Sequence, residues 1–153
     1  MQIVHAESAE QVEQIRGLLD EYWSSFHFAR CFQNFDAEVA GLPGAYARPD
    51  GRLALALVGG NAAGCIAFRR FDASRCEAKR LYVRPEYRGL GLGRALLKWL
   101  IGEARSAGYR EIVGHTLPLM ANAVELYDRL GFERYTPSGG KAAPDAIYLR
   151  MSL

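Results

Sequence analysis

The spacing of apolar positions changes several times along this chain, and each change marks an element. Val12, Ile15, Leu18, Leu19 and Tyr22 share one helical face, with acids on the other. Ser8 and Gln11 resemble a capping box, so a helix is expected from Ser8 to about Tyr22, after a short strand over Gln2–Ala6. Asp36–Leu42 reads as a second short helix stopped by Pro43-Gly44, and Pro49-Asp50-Gly51 as a turn. The pattern then shortens to the strand-like runs Arg52–Val58, Gly64–Phe71 and Arg75–Val83. Gly59-Gly60-Asn61 folds the first two into a hairpin. Leu96, Leu97, Leu100, Ile101 and Ala104 restore the helical period over Leu92–Ala107, with Gly108 as its cap. Glu111–Thr116 reads as a strand and Ala121–Leu130 as a helix ended by Gly131. Phe132–Tyr135 and Ala146–Met151 read as strands around a Gly/Pro-rich loop. Strands dominate early and alternate with helices later, which predicts a mixed α/β layer fold in one domain spanning 1–153.

Composition narrows the function. The length suits a single core, and no apolar run approaches the roughly 20 residues needed to span a bilayer. Met1-Gln2-Ile3-Val4-His5 lacks the pattern of a signal peptide, so the expected compartment is the cytoplasm, with no membrane partner. A net charge of +2 is too small to suggest a nucleic-acid binder. Cys31, Cys65 and Cys76 have no metal-ligand spacing, so no metal is expected, and Cys65 and Cys76 read as small core residues. Charge is unevenly spread. Residues 69–98 carry a local +6, which suits a polyanionic ligand, and residues 1–50 a local −5, which suits a cationic one.

The chemistry concentrates in Leu81-Tyr82-Val83-Arg84-Pro85-Glu86-Tyr87-Arg88-Gly89-Leu90-Gly91-Leu92-Gly93-Arg94, where a strand enters a loop with three glycines that opens a helix. Glycines let backbone N–H groups approach an anion, and the helix N-terminus adds free donors and a positive dipole. The spacing is neither a P-loop nor GxGxxG, which disfavours a nicotinamide-dependent oxidoreductase. It is Arg-x-x-Gly-x-Gly, at Arg88, Gly91 and Gly93, and here the chain resembles the GNAT superfamily of N-acetyltransferases. Asn122-Ala123-Val124-Glu125-Leu126-Tyr127-Asp128-Arg129-Leu130-Gly131-Phe132 looks like a later helix of that family, in the right order and at the right separation.

The resemblance implies a mixed, mostly antiparallel sheet flanked by helices. The sheet splits into a V beside the strand ending at Val83, and acetyl-CoA enters the split as cosubstrate. It implies that Arg88, Gly89, Leu90, Gly91, Leu92, Gly93 and Arg94 hold the pyrophosphate. Lys98, one turn after Arg94, is a further candidate for a phosphate. The backbone of Leu81, Tyr82 and Val83 would pair with pantetheine and supply an oxyanion donor, and Asn122 would bind CoA backbone groups. Tyr127 would protonate the leaving thiolate, against the alternative of a core aromatic. Glu77 is the first candidate for the base that deprotonates the amine, against a structural ion pair with Lys79 or Arg80, while Tyr82 and His115 are weaker candidates. The expected reaction is direct transfer to a small primary amine in a ternary complex. A peptide or protein acceptor and a non-catalytic acyl-CoA sensor stay as alternatives, and a homodimer stays open. Glu21, Asp36 and Glu38, among Tyr22, Trp23, Phe26, Phe28, Phe32, Phe35 and Tyr46, suggest a cationic acceptor held by acids and aromatic rings.

Overall fold

A computed structural model describes residues 1–25, 34–116, 121–137 and 146–153. Seven strands form one sheet in the order β1-β2-β3-β4-β5-β7-β6. They are β1 (Gln2–His5), β2 (Arg52–Val58), β3 (Asn61–Arg70), β4 (Arg75–Val83), β5 (Glu111–Thr116), β6 (Glu133–Arg134) and β7 (Ile147–Ser152). Every neighbouring pair is antiparallel except β4 with β5. Among the described residues, four α-helices flank the sheet: α1 (Ala9–Ser25), α2 (Phe35–Ala40), α3 (Leu92–Ser106) and α4 (Ala121–Arg129).

Local chemistry explains the boundaries. At the start of α1 the Gln11 N–H donates to Ser8 Oγ (3.1 Å), while the Ser8 and Glu7 N–H groups donate to Gln11 Oε1 (3.2 and 3.1 Å). This is a reciprocal capping box. Val58 pairs with Asn61, so the hairpin turn is Gly59-Gly60 alone, at φ 58° and 82°. Two consecutive positive φ values define a type I′ turn, whose twist matches the strands it joins. β3 starts at Asn61, three residues before the expected Gly64, because this tight turn extends the ladder to its base.

Strand alternation sorts the core into two layers. Ala54, Ala56, Ile66, Phe68, Cys76, Ala78 and Ile112 face α3 and α4, meeting Leu92, Leu96, Leu97, Leu100 and Tyr127. Leu53, Leu55, Cys65, Ala67 and Tyr82 face α1 and α2, meeting Ile15, Leu18, Leu19, Trp23, Phe35 and Val39. Cys65 and Cys76 are both buried and unbridged, as expected of small core residues. Each fully buried leucine of α3 contributes about 1.5–3 kcal/mol of hydrophobic stabilisation.

The sheet is interrupted where β4 meets β5. Their ladder runs only from Arg75↔Glu111 to Glu77↔Val113. Beyond it, Ala78–Val83 pair with β3 alone and Gly114–Thr116 with β7 alone. The two central strands therefore part into the expected V. In β4 the register with β3 shifts by one residue between Lys79 and Tyr82, at a bulge where Arg80 adopts φ 63°. Gly64 lies against this bulge, where a Cβ would come within 2.6 Å of the Tyr82 carbonyl oxygen, so only glycine fits.

Candidate active site in the split of the sheet

The parted strands open into a cleft of about 800 Å³ that runs through the sheet. Its α3/α4 side is lined by Arg88, Gly89, Gly91, Leu92, Gly93, Arg94, Asn122, Leu126, Tyr127 and Leu130, and its α1/α2 side by Tyr22, Lys79 and His115. The free edge of β4 from Ala78 to Val83 forms one wall. Such an edge carries unpaired backbone donors and acceptors, which suit an extended chain of amides.

The glycine loop enters α3 with Gly89 at φ 82° and Gly91 at φ 81°. Both are left-handed positions that only glycine adopts cheaply, and nothing stands within 4 Å of a Cβ at either. Gly93 has a different reason: a Cβ there would lie 3.3 Å from the Leu126 side chain, so glycine lets α4 approach α3. The Ala95 N–H bonds to the Gly91 carbonyl, leaving the donors of Leu92, Gly93 and Arg94 ahead of the first helical hydrogen bond. Arg88 Nε donates to the Val83 carbonyl (3.0 Å), and Arg94 and Lys98 have no acidic partner among the described residues. Open glycine faces, free N–H groups and unpaired cations fit the pyrophosphate of CoA.

Most of the residues singled out in the sequence meet here. Leu81, Tyr82, Val83, Arg88, Gly89, Gly91, Leu92, Gly93, Arg94, Asn122 and Tyr127 all border the cleft. Leu90 and Lys98 do not border it. The Leu90 side chain is exposed to solvent, so only its backbone can serve the loop. Tyr127 belongs to the core as well as the cleft. Its ring packs edge-on against Phe132 (4.9 Å between centroids), and burial drives its phenol well above the ordinary value. The acid and core readings of Tyr127 are compatible in this geometry.

Glu77 needs a correction. Its partner is neither Lys79 nor Arg80 but Arg69, across the β3–β4 ladder, with Nε to Oε1 at 2.9 Å. Its other oxygen, Oε2, lies 3.6 Å from His115 Nδ1. Burial alone would raise the Glu77 carboxyl. The nearby His115 ring and the Lys79 and Arg69 charges outweigh it and hold the group down at about 2. Glu77 is therefore a weak base, and it stands behind His115 instead of bordering the cleft. Strand alternation puts Arg69, Glu77, Lys79 and His115 on the face where α1 and α2 pack.

The acids expected to draw in a cationic acceptor are also differently engaged. Glu38 is bound by Arg80, and Glu21 Oε2 accepts from Arg84 Nε at 2.8 Å. Trp23 and Phe35 stack on each other at 4.1 Å, and the cation over them is the protein's own Arg80, at 5.3 and 5.4 Å. Tyr22 alone of the described aromatics in that segment borders the cleft, and Phe26, Phe28 and Phe32 lie outside the described residues. Sequence reasoning treated Lys79 only as a partner for Glu77 and passed over Thr116. Both border the cleft, and the signal for each was its place beside a singled-out strand residue.

The profile of the acetyltransferase (GNAT) family matches residues 12–132. An N-acetyltransferase of Schizosaccharomyces pombe is 36% identical over 146 residues, covering 94% of this chain and 90% of that protein. An acetyltransferase from Streptococcus agalactiae has the same fold, with a TM-score of 0.82 at 21% identity over 99% of this chain and 98% of its own. A GNAT family acetyltransferase from Elizabethkingia anophelis, solved with acetyl-CoA bound, gives a TM-score of 0.57 at 26% identity over 68% of this chain and 77% of its own. The chain belongs to the GNAT acetyltransferase family. Its activity is acetyl transfer.

Proposed function

We propose that the protein transfers the acetyl group of acetyl-CoA to a primary amine by direct attack in a ternary complex. The observation that carries this reading is the cleft through the sheet, which joins the glycine loop on one face to a polar cluster on the other. Bound there, acetyl-CoA supplies a thioester whose acyl carbon is open to attack.

The glycine loop and the α3 N-terminus would hold the pyrophosphate, with Arg88 and Arg94 beside it. The free edge of β4 over Leu81–Val83 would pair with the pantetheine amides and place an N–H against the carbonyl oxygen as negative charge gathers there. Asn122, at the cleft wall on α4, would bind the same arm. An alkyl ammonium has a pKa of about 10.4 and must lose a proton before it reacts. His115 would take that proton, with Glu77 orienting its ring and stabilising the imidazolium. As the C–N bond forms and the C–S bond breaks, the Tyr127 hydroxyl would give its proton to the departing sulfur and recover one from water. Its raised pKa keeps it protonated across the working range.

The test is release of free thiol from acetyl-CoA in the presence of a panel of primary amines, with mass spectrometry of the products. An N-acetylated amine is the expected product. CoA binding without transfer to any amine or peptide would leave only the sensor reading.

A further inference from the structure

Charge at the acceptor end of the cleft is unbalanced in a specific way. The carboxylates around it are already taken: Glu21 by Arg84, Glu38 by Arg80 and Glu77 by Arg69. The one acid bordering the cleft among the described residues is Glu125 on α4, which pairs with Arg129. Segments 26–33 and 117–120 contain no acidic residue, and segment 138–145 contains one acid, Asp145, and one lysine, Lys141. An ammonium ion entering from the α1/α2 side therefore meets no free carboxylate among the described residues.

It does meet a cation that no acid pairs with directly among the described residues. Lys79 borders the cleft on β4, one residue before the Arg80 bulge. It is half-buried, and among the described residues it makes neither a hydrogen bond nor an ion pair. Burial pushes its ammonium below the ordinary lysine value, and the neighbouring Arg80 charge pushes the same way, outweighing the opposite pull of the Glu77 and Glu38 carboxylates, which make no ion pair with it. Arg69 also lies on this side, though its guanidinium is committed to Glu77. A half-buried cation with no hydrogen bond or ion pair among the described residues is costly to keep, and an anion from the substrate relieves that cost.

We infer that Lys79 binds an anionic group of the acceptor, and that the acceptor is an amine carrying a carboxylate close to its nitrogen, as in an α-amino acid. The inference rests on the amine-transfer reading above and names its substrate class. Lys79 and His115 border the same side of the cleft, so a carboxylate on Lys79 holds the adjacent amine near the group that takes its proton.

The experiment compares a panel of L-α-amino acids with their carboxamides, which keep the amine and side chain but lose the charge. Thiol release is followed for the wild-type enzyme and for Lys79→Met and Lys79→Arg. Wild type is expected to favour the acid over the matched amide by tenfold or more in kcat/KM. Lys79→Met should collapse that ratio toward unity, and Lys79→Arg should retain most of it. Calorimetry of the same pairs on the protein saturated with CoA reads the anion site without turnover, and the acid should bind more tightly than the amide. Equal rates for acid and amide, or a preference that survives Lys79→Met, overturns the inference while leaving amine transfer intact. Absence of transfer to every amine overturns the transfer reading, and calorimetry then decides the anion site by itself.

Discussion

Arg80 on β4 reaches α2 and binds Glu38 with both ends of its fork, Nε to Oε2 at 2.7 Å and NH2 to Oε1 at 3.0 Å. The Arg80 backbone is left-handed and its side chain is only 4% exposed. A non-glycine residue at positive φ persists only when its surroundings hold it. Here the pair and the stacked Trp23–Phe35 rings do so, tying α2 to the bulge that shapes the cleft. Burial raises the Glu38 carboxyl, yet the Arg80 hydrogen bonds and charge bring it below the ordinary carboxylate value.

Removing Glu38 leaves a buried arginine without its counter-ion. Glu38→Ala should cost about 3–5 kcal/mol of stability, the usual penalty for breaking a buried pair from one side. Urea denaturation measures it. A loss below about 1 kcal/mol would mean that water or another acid replaces the carboxylate.

Gly91 caps α3 at φ 81° with open space where a side chain would stand. Gly91→Asp strains the backbone and sets a negative charge at the proposed pyrophosphate site. CoA affinity, measured by calorimetry on folded protein, should fall at least tenfold. Unchanged affinity would move the phosphates away from this loop.

Tyr127 and Phe132 pack edge-on, so Tyr127→Phe keeps the ring contact and removes the proton. If Tyr127 protonates the sulfur, kcat should fall by about 10² or more while CoA affinity stays nearly constant, because the loss is confined to the transition state. An undiminished kcat would return Tyr127 to the core alone.

Glu77 gives a pH dependence with a definite sign. Its carboxyl is held at about 2 in the folded chain, against an ordinary 4.5. A depressed carboxyl stabilises the fold above its unfolded pKa, and that stability is lost as pH falls from about 4.5 toward 2. Thermal melts in this window should show Tm dropping more steeply for wild type than for Glu77→Gln. Parallel slopes for the two proteins would contradict the ion-pair network around Glu77.

Periodicity and local chemistry made much of this molecule legible without a structure. The capping box at Ser8 and Gln11, the hairpin at Gly59-Gly60 and the glycine-capped helix after Arg88 are short-range events, set by residues within a few positions of each other. The glycine loop and the Asn122–Phe132 helix carried the family and the side of the fold where CoA is expected, because backbone approach at these places demands particular residues.

Charge was different. The −5 of residues 1–50 reads as a field that attracts cations when counted along the chain. In three dimensions Glu7, Glu21, Glu38 and Asp50 each meet an arginine, and three of these arginines come from beyond residue 50. Opposite charges cancel through space at about 3 Å, and the sequence distance between them has no bearing on that. Glu77 found Arg69 eight residues back because the β3–β4 register put them opposite each other. Lys79 was left without an ion pair among the described residues by the same register and by the bulge that turns Arg80 toward α2. Element types followed from local rules. Which charges were matched, and which one faces the cleft alone among the described residues bordering its acceptor side, depended on strand pairing and packing between distant segments.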